Sequence, residues 1–306
     1  MATDQRSIVV VGSINMDLVV STPRIPLAGQ TLIGTAFTTT PGGKGANQAV
    51  AVARLGCPVQ MVGAVGEDVF GQALLDGLAR AGVETGAVGR ISGPSGVAAI
   101  AVAASGENSI VVVPGANGKI TPAYLDQQID LVRAAGMVLC QLELPLDTMS
   151  RTLAVCTEAG IPVMLDPAPA ADLPESVWKQ VAWFTPNETE ADFFVGGRLA
   201  PEETAKLLLR RGVHGVVLKR GSEGAYVAEA GGNAGWVRSF PVKVVDTVAA
   251  GDCFNGAFAV ALVKGLDPLS AARFASAAAA ISVTRRGAQA SMPTGKEVDE
   301  FLSQNG

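Results

Sequence analysis

The sequence predicts an α/β fold with a mostly parallel central sheet covered by helices, and three observations carry that expectation. Near-continuous aliphatic runs recur along the chain, stretches with helical apolar spacing separate them, and two β-rich segments break the alternation. Strands buried on both faces read as unbroken apolar runs, the mark of a parallel sheet under helices. Ile8–Val11, Val59–Val65, Met137–Leu142, Pro162–Leu165, Trp183–Thr185 and Gly215–Leu218 are runs of this kind. Ala46–Leu55, Phe70–Ala81 and Pro201–Arg211 are the amphipathic stretches between them. Farther along, Phe254, Ala257, Phe258, Ala261 and Leu262 fall at one helical face, and Ala275–Ala280 reads as a closely packed helix. Asp17–Thr40 mixes β-type residues with turn formers, and Gly96–Pro114 reads as two strands, Val97–Ala103 and Ser109–Val113, around a turn at Ala104–Asn108. Together these segments predict a small separate sheet, a lid over a site at the strand ends; edge strands of the main sheet are the alternative.

Composition narrows the function. At 306 residues the chain has room for one large domain or two. No apolar run reaches the ~18 residues of a membrane span, and the polar start Met1–Arg6 does not resemble a signal peptide. A net charge of −5 without a Lys/Arg run speaks against nucleic acid or anionic membranes as partners. Cys57, Cys140, Cys156 and Cys253 are scattered without a C-x-x-C pair, and His214 is the single histidine, so zinc is not expected. Reduced thiols in the cytoplasm are. The 36 glycines are well above the ~7% average, which suits loops that approach ligands.

Four motifs carry chemistry. In Asp246-Thr-Val-Ala-Ala-Gly-Asp-Cys-Phe-Asn-Gly256, small residues deliver Asp252 to a helix N-terminus, where unpaired backbone amides attract anions. Asp252 could be a base beside a phosphoryl group, or simply the helix cap. Pro41-Gly-Gly-Lys-Gly-Ala-Asn47 precedes another helix and lacks the spacing of a P-loop. Its amides, Lys44 and Asn47 suit a polyhydroxylated ligand, unless the run is only a helix-entry turn. Gly12-Ser-Ile-Asn-Met-Asp17 puts Asn15 and Asp17 after the first strand, where a carboxylate can accept hydrogen bonds from adjacent hydroxyls; turn formation competes. In Thr185-Pro-Asn-Glu-Thr-Glu190, Asn187 and Glu190 have the spacing of a capping box, and could also face a magnesium–phosphate cluster through water. No G-x-G-x-x-G follows the first strand, which excludes the nicotinamide oxidoreductase pattern.

With Pro114-Gly-Ala-Asn117, Gln141-Leu-Glu143, Asp166-Pro-Ala-Pro169 and Thr284-Arg-Arg-Gly-Ala-Gln289, these motifs stand in the order and spacing of the ribokinase-like (PfkB) sugar kinases. The sequence resembles that family from Ile8 to about Phe301. The resemblance implies a three-layer αβα sandwich as one domain over 1–306, with lid segments at about 17–40 and 96–114. It implies that Asp252 takes the proton from a sugar's primary hydroxyl while Ala249, Ala250 and Gly251 form an anion hole. Asn15, Asp17, Gly43, Lys44, Asn47 and Glu143 match positions that hold the sugar. Asn187, the segment Arg220-Gly221-Ser222-Glu223-Gly224, Gly251 and Ser276 match the ATP pocket. An activating K+ would lie near Asp246, Val248, Ser282, Arg285, Gly287 and Ser291, and Glu190 would reach Mg2+ through water. The implied activity is ATP-dependent phosphorylation of a free pentose, D-ribose first, by a homodimer joined through the lid. Deoxyribose, fructose, a sugar acid or a nucleoside are other acceptors, and a non-catalytic sugar sensor is the alternative of a different class. Many family members have Gly-Ala-Gly-Asp where this chain has Ala249-Ala-Gly-Asp252; the amides remain and the added methyl is small, so activity is expected to survive. His214 is expected in a surface turn and Cys253 as a small buried hydrophobe.

Overall fold

Alternation along the first strand sets the layers. Ile8 and Val10 face one core together with residues of the helices Lys44–Arg54, Val69–Arg80, Ala250–Val263 and Pro268–Ser282. Val9 and Val11 face a second core with the helices Leu146–Ala159, Glu188–Val195 and Pro201–Arg211. Successive strand residues point to opposite faces, so a strand that is apolar at every position requires helices on both sides. The computed structural model describes residues 7–305, and the reading of Met1–Arg6 lies outside the described residues.

In chain order the strands are β1 Ile8–Val11, β2 Asn15–Thr22, β3 Ala36–Gly42, β4 Val59–Gly66, β5 Val88–Ile91, β6 Gly96–Ala103, β7 Asn108–Val113, β8 Met137–Gln141, β9 Val163–Asp166, β10 Trp183–Phe184, β11 Gly215–Lys219, β12 Ala225–Glu229 and β13 Ala234–Val237. The main sheet runs β13-β12-β11-β10-β9-β8-β1-β4-β5, parallel from β5 to β11, with β12 and β13 antiparallel at one edge. Strand order reverses at β1, which has β4 on one side and β8 on the other. The crevice beyond the carboxyl ends at such a reversal is where doubly wound sheets take ligands.

The two β-rich segments form a sheet of their own, ordered β3-β2-β6-β7, rather than edges of the main one. β2 pairs antiparallel with β3 and parallel with β6, and β6 pairs antiparallel with β7. β2 begins with Asn15 and Asp17, and β3 runs on to Gly42, so the small sheet is rooted in two of the sequence motifs. The helix Ala250–Val263 is buried over nearly its whole length between the Lys44–Arg54 and Pro268–Ser282 helices. A helix that is apolar all round belongs in a core. Gly256 permits the close approach, since a β-carbon there would stand 2.7 Å from that of Ala51.

Candidate active site

Glycine geometry shapes the floor of the crevice. Gly43 caps the Lys44–Arg54 helix at φ 89°, a conformation that favours glycine, and a β-carbon there would stand 2.7 Å from the amide nitrogen of Asn15. A β-carbon on Gly42 would run into the Asp17 carboxylate. These absences of side chain let Asn15, Asp17, Lys44 and Asn47 gather around one space. Asn15 is 2% exposed, and its Oδ1 accepts from Nδ2 of Asn117 at 2.7 Å. Asn117 is itself pinned to both backbone groups of Ile14. Glu143 Oε2 accepts from the Ser13 hydroxyl and from the Lys44 amide.

Three carboxylates crowd this space, and their chemistry shows it. Burial, then the nearby charges of Glu143 and Asp252, push the Asp17 carboxyl up to about 7. Burial works against a charged Lys44, but Asp252, Asp166, Glu143 and Glu190 outweigh it and hold the ammonium above its ordinary range. A fixed cation among acids offsets part of their negative charge.

Asp252 lies in the first turn of the Ala250–Val263 helix and is 6% exposed. It does not cap that helix: Ala249 is the cap residue and makes no side-chain capping bond. Instead Asp252 accepts from Nδ2 of Asn47 at 3.0 Å and from Nε2 of Gln48 at 3.2 Å. Burial raises its carboxyl to about 6, with Lys44 and these two donors pulling the other way. Oδ1 of Asn47 is buried without a partner among the described residues, an acceptor free for a hydroxyl donor beside the Asp252 carboxylate.

The Ala250 amide turns back to the carbonyl of Thr247 at 3.2 Å, while Gly251 and Asp252, in the first turn, have no carbonyl four residues back within the helix. Ala249 holds φ 57°, the one positive φ on a non-glycine residue among those described. Its methyl therefore costs about 1–2 kcal/mol of backbone strain. That strain is what glycine avoids at this position; sequence reading counted only the methyl's size.

Asn187 and Glu190 form the expected capping box. The Asn187 amide donates to Glu190 Oε2 at 2.7 Å, and Glu190 N donates to Asn187 Oδ1 at 2.9 Å. Burial raises the Glu190 carboxyl. Arg220 pairs with Glu188 at 3.0 Å and with Glu223 at 2.9 Å, beside the turn Gly221–Glu223 that carries Ser222 and ends at Gly224. Ser276 is buried on the Pro268–Ser282 helix, and no hydrogen bond among the described residues joins its side chain to that turn.

Asp246 draws the proposed ion-site segments together. Its carboxylate accepts from the amides of Val248 (3.0 Å) and Gly287 (2.9 Å). Ser282 and Ser291 are buried and donate to the carbonyls of Ala279 and Ala288. The Arg285 side chain turns to Glu297 at 2.6 Å and holds that carboxyl down at about 2. Of these side chains Asp246, Ser282 and Ser291 carry oxygens, the donor type a hard cation takes, whereas Val248 and Gly287 turn their amides to Asp246. Among the described residues no group of three or more His, Cys, Asp or Glu side chains converges as a metal cage.

Sequence reading missed a buried relay that now links the motifs. Gln48 donates through one nitrogen to Asp252 and to Asp166 Oδ2 (3.0 Å), and its Oε1 accepts from Gln141 Nε2 at 2.8 Å. Lys219 closes the relay, donating to Asp166 Oδ1 at 2.9 Å. The expected bland residues stay bland: His214 is exposed just before β11, and burial pushes the Cys253 thiol up to about 12.

The model of the pfkB family carbohydrate kinases matches residues 5–295. The chain belongs to this family. It is 45% identical to the ribokinase of Bacillus subtilis (strain 168), over 97% of this chain and 100% of that protein. It is 36% identical to the deoxyribokinase of Salmonella typhi, over 97% of this chain and 99% of that protein. The solved structure of Arabidopsis thaliana ribokinase complexed with ribose and ATP matches with a TM-score of 0.91 and 36% identity, over 97% of this chain and 98% of that one. The family fold, a mostly parallel sheet between helix layers beside a smaller sheet, is the one described above.

Proposed function

We propose that this family member transfers the terminal phosphoryl group of ATP to the 5-hydroxyl of D-ribose, giving ribose 5-phosphate and ADP. The observation that carries the reading is the placement of Asp252: a buried carboxylate in a helix's first turn, bonded by Asn47 and Gln48 instead of capping. As the sugar oxygen bonds to phosphorus, Asp252 takes its proton, and the bond from phosphorus to the bridging oxygen breaks to release ADP. The amides of Ala249 and Gly251 are the ones proposed to face the charge that develops on the phosphoryl oxygens, and that of Ala250 would join them only by leaving the Thr247 carbonyl. Asp17, Asn15, Gly43, Lys44, Asn47 and Glu143 hold the sugar, and Asn187, the Arg220–Gly224 turn and Ser276 hold the nucleotide.

Adjacent hydroxyls suit the pair Asp17 and Asn15, so ribose is favoured over its 2-deoxy analogue, which leaves one acceptor unpaired. When bound, Mg2+ would supply charge neutralisation on the phosphates, and Glu190 is the residue that would hold it, through water. The oxygens around Asp246, Val248, Ser282, Arg285, Gly287 and Ser291 would hold K+, and their role is to keep the 246–251 loop in place. The small sheet acts as a lid that excludes water over the sugar. Its outer strand β7 exposes Ile110, Val111, Val112 and Val113, apolar side chains that support pairing of the lid with a second copy. Four free, buried thiols fit a reducing cytoplasmic compartment.

The test is ADP release from Mg-ATP across a panel of pentoses, hexoses and nucleosides, with and without K+. Turnover strongest on ribose and raised by K+ is expected. Turnover on a different acceptor moves the substrate assignment, and sugar binding without ADP release supports a sensor. A sedimentation mass equal to one 31.1 kDa chain would contradict the dimer.

A further inference from the structure

Lys219 ends β11 at the carboxyl edge of the main sheet, with its side chain 13% exposed and that of its partner Asp166 3% exposed. Its backbone is fixed against the Asn187 motif: its amide donates to the Pro186 carbonyl at 2.9 Å, and it forms an isolated bridge with Asn187. Nζ donates to Asp166 Oδ1 at 2.9 Å. The same ammonium reaches the start of the catalytic helix, since a β-carbon built on Gly251 would stand 3.5 Å from Nζ. An ammonium has three donors, and Asp166 is its one hydrogen-bond acceptor among the described residues.

Asp166 ties this cation to the base. Its other oxygen, Oδ2, accepts from Gln48 Nε2, the nitrogen that also donates to Asp252 Oδ1. Gln141 fixes the orientation of the Gln48 amide from behind. The distance between Lys219 and Asp252 is thus set through two buried side chains. A lysine needed only to neutralise Asp166 has no reason to stand beside Gly251, which the phosphoryl-transfer reading places in the anion hole.

We infer that Lys219 is a further catalytic residue, whose ammonium contacts the phosphoryl group in transit, and that Asp166 is the positioning residue that holds it there. The inference rests on the phosphoryl-transfer reading above. Equatorial oxygens of the transferring group then meet backbone amides on one side and a buried cation on the other. Lys44 is the second cation, placed on the sugar side by its helix.

The experiment compares wild-type protein with Lys219→Met, Lys219→Arg and the double variant Asp166→Asn/Lys219→Met, measuring kcat, the sugar KM and thermal stability. Lys219→Met is expected to lose about 10²–10³-fold in kcat, the usual worth of one preorganised transition-state donor, with the sugar KM kept within about 3-fold. Lys219→Arg should recover part of the rate. The double variant removes the unpaired buried carboxylate, so it should regain stability while staying as slow as Lys219→Met. Recovery of kcat in the double variant would show a purely structural ion pair and overturn the inference. So would unchanged turnover in Lys219→Met beside an active wild type, leaving the kinase reading intact. A wild type that turns over no sugar would overturn both.

Discussion

Replacing Asp17 by Asn should make the ligand-free protein more stable and a poorer sugar binder, and the gain in stability should depend on pH. The Asp17 carboxyl is pushed from 3.8 to about 7 by burial, Glu143 and Asp252. A carboxyl raised on folding favours the folded state while protonated, and that contribution is lost as pH climbs toward the folded value. At pH 8 the ionised side chain costs folding about 4 kcal/mol relative to a neutral isostere. This is a ceiling, because the side chain is partly open to solvent. At pH 4.5 the same arithmetic leaves about 1 kcal/mol. Asp17→Asn keeps the shape that lies over Gly42, so urea denaturation at both pH values isolates the charge. The variant is expected to gain several kcal/mol at pH 8 and about 1 kcal/mol at pH 4.5, while ribose affinity falls about 10–100-fold for the lost charge-assisted bonds. Equal gains at the two pH values, or none at pH 8, would refute the electrostatic account of the pocket.

Gly42→Ala should strike the Asp17 carboxylate directly. Its expected signature in steady-state kinetics is a ribose KM raised about 10-fold or more with kcat less affected, as for a loss of uniform binding. Gln48→Leu removes a donor from Asp252 and from Asp166. Hydrogen bonds to charge are worth about 1.5–3 kcal/mol, so the Asp252 carboxyl should rise further above about 6. The acid limb of kcat/KM should then move up by about 1 pH unit or more, with activity at pH 6 falling further than at pH 8; profiles that stay parallel would contradict the relay.

What sequence could tell was local. Strands buried on both faces declare themselves as apolar runs, and glycine- and carboxylate-rich turns stand out because helices and strands rarely contain them. The helix-entry turn within Pro41–Asn47 and the box of Asn187 and Glu190 were legible for that reason, while the two β-rich segments left a separate sheet and edge strands of the main one both open. Whether Asp252 caps its helix was not legible from its spacing, because a first-turn aspartate has the same spacing whether it caps or accepts from another helix. Only the approach of the Lys44–Arg54 helix, permitted at Gly256, brings Asn47 and Gln48 to it. The relay through Gln48, Gln141, Asp166 and Lys219 joins four elements far apart in the chain. A glutamine among alanines carries no local sign that it will lie buried between two carboxylates. β12 and β13 also escaped notice, since short edge strands lack the continuous apolar run of a central one.

The most direct measurement is ribose-dependent ADP release by wild-type protein and by Asp252→Asn, with the phosphorylated position of the product read by NMR. The account predicts ribose 5-phosphate formed in step with ADP by the wild type. It predicts a loss of roughly 10²–10⁴-fold in kcat for the variant, the usual worth of a general base, with ribose binding retained. Near-normal turnover by Asp252→Asn, or phosphate on another hydroxyl, would contradict it.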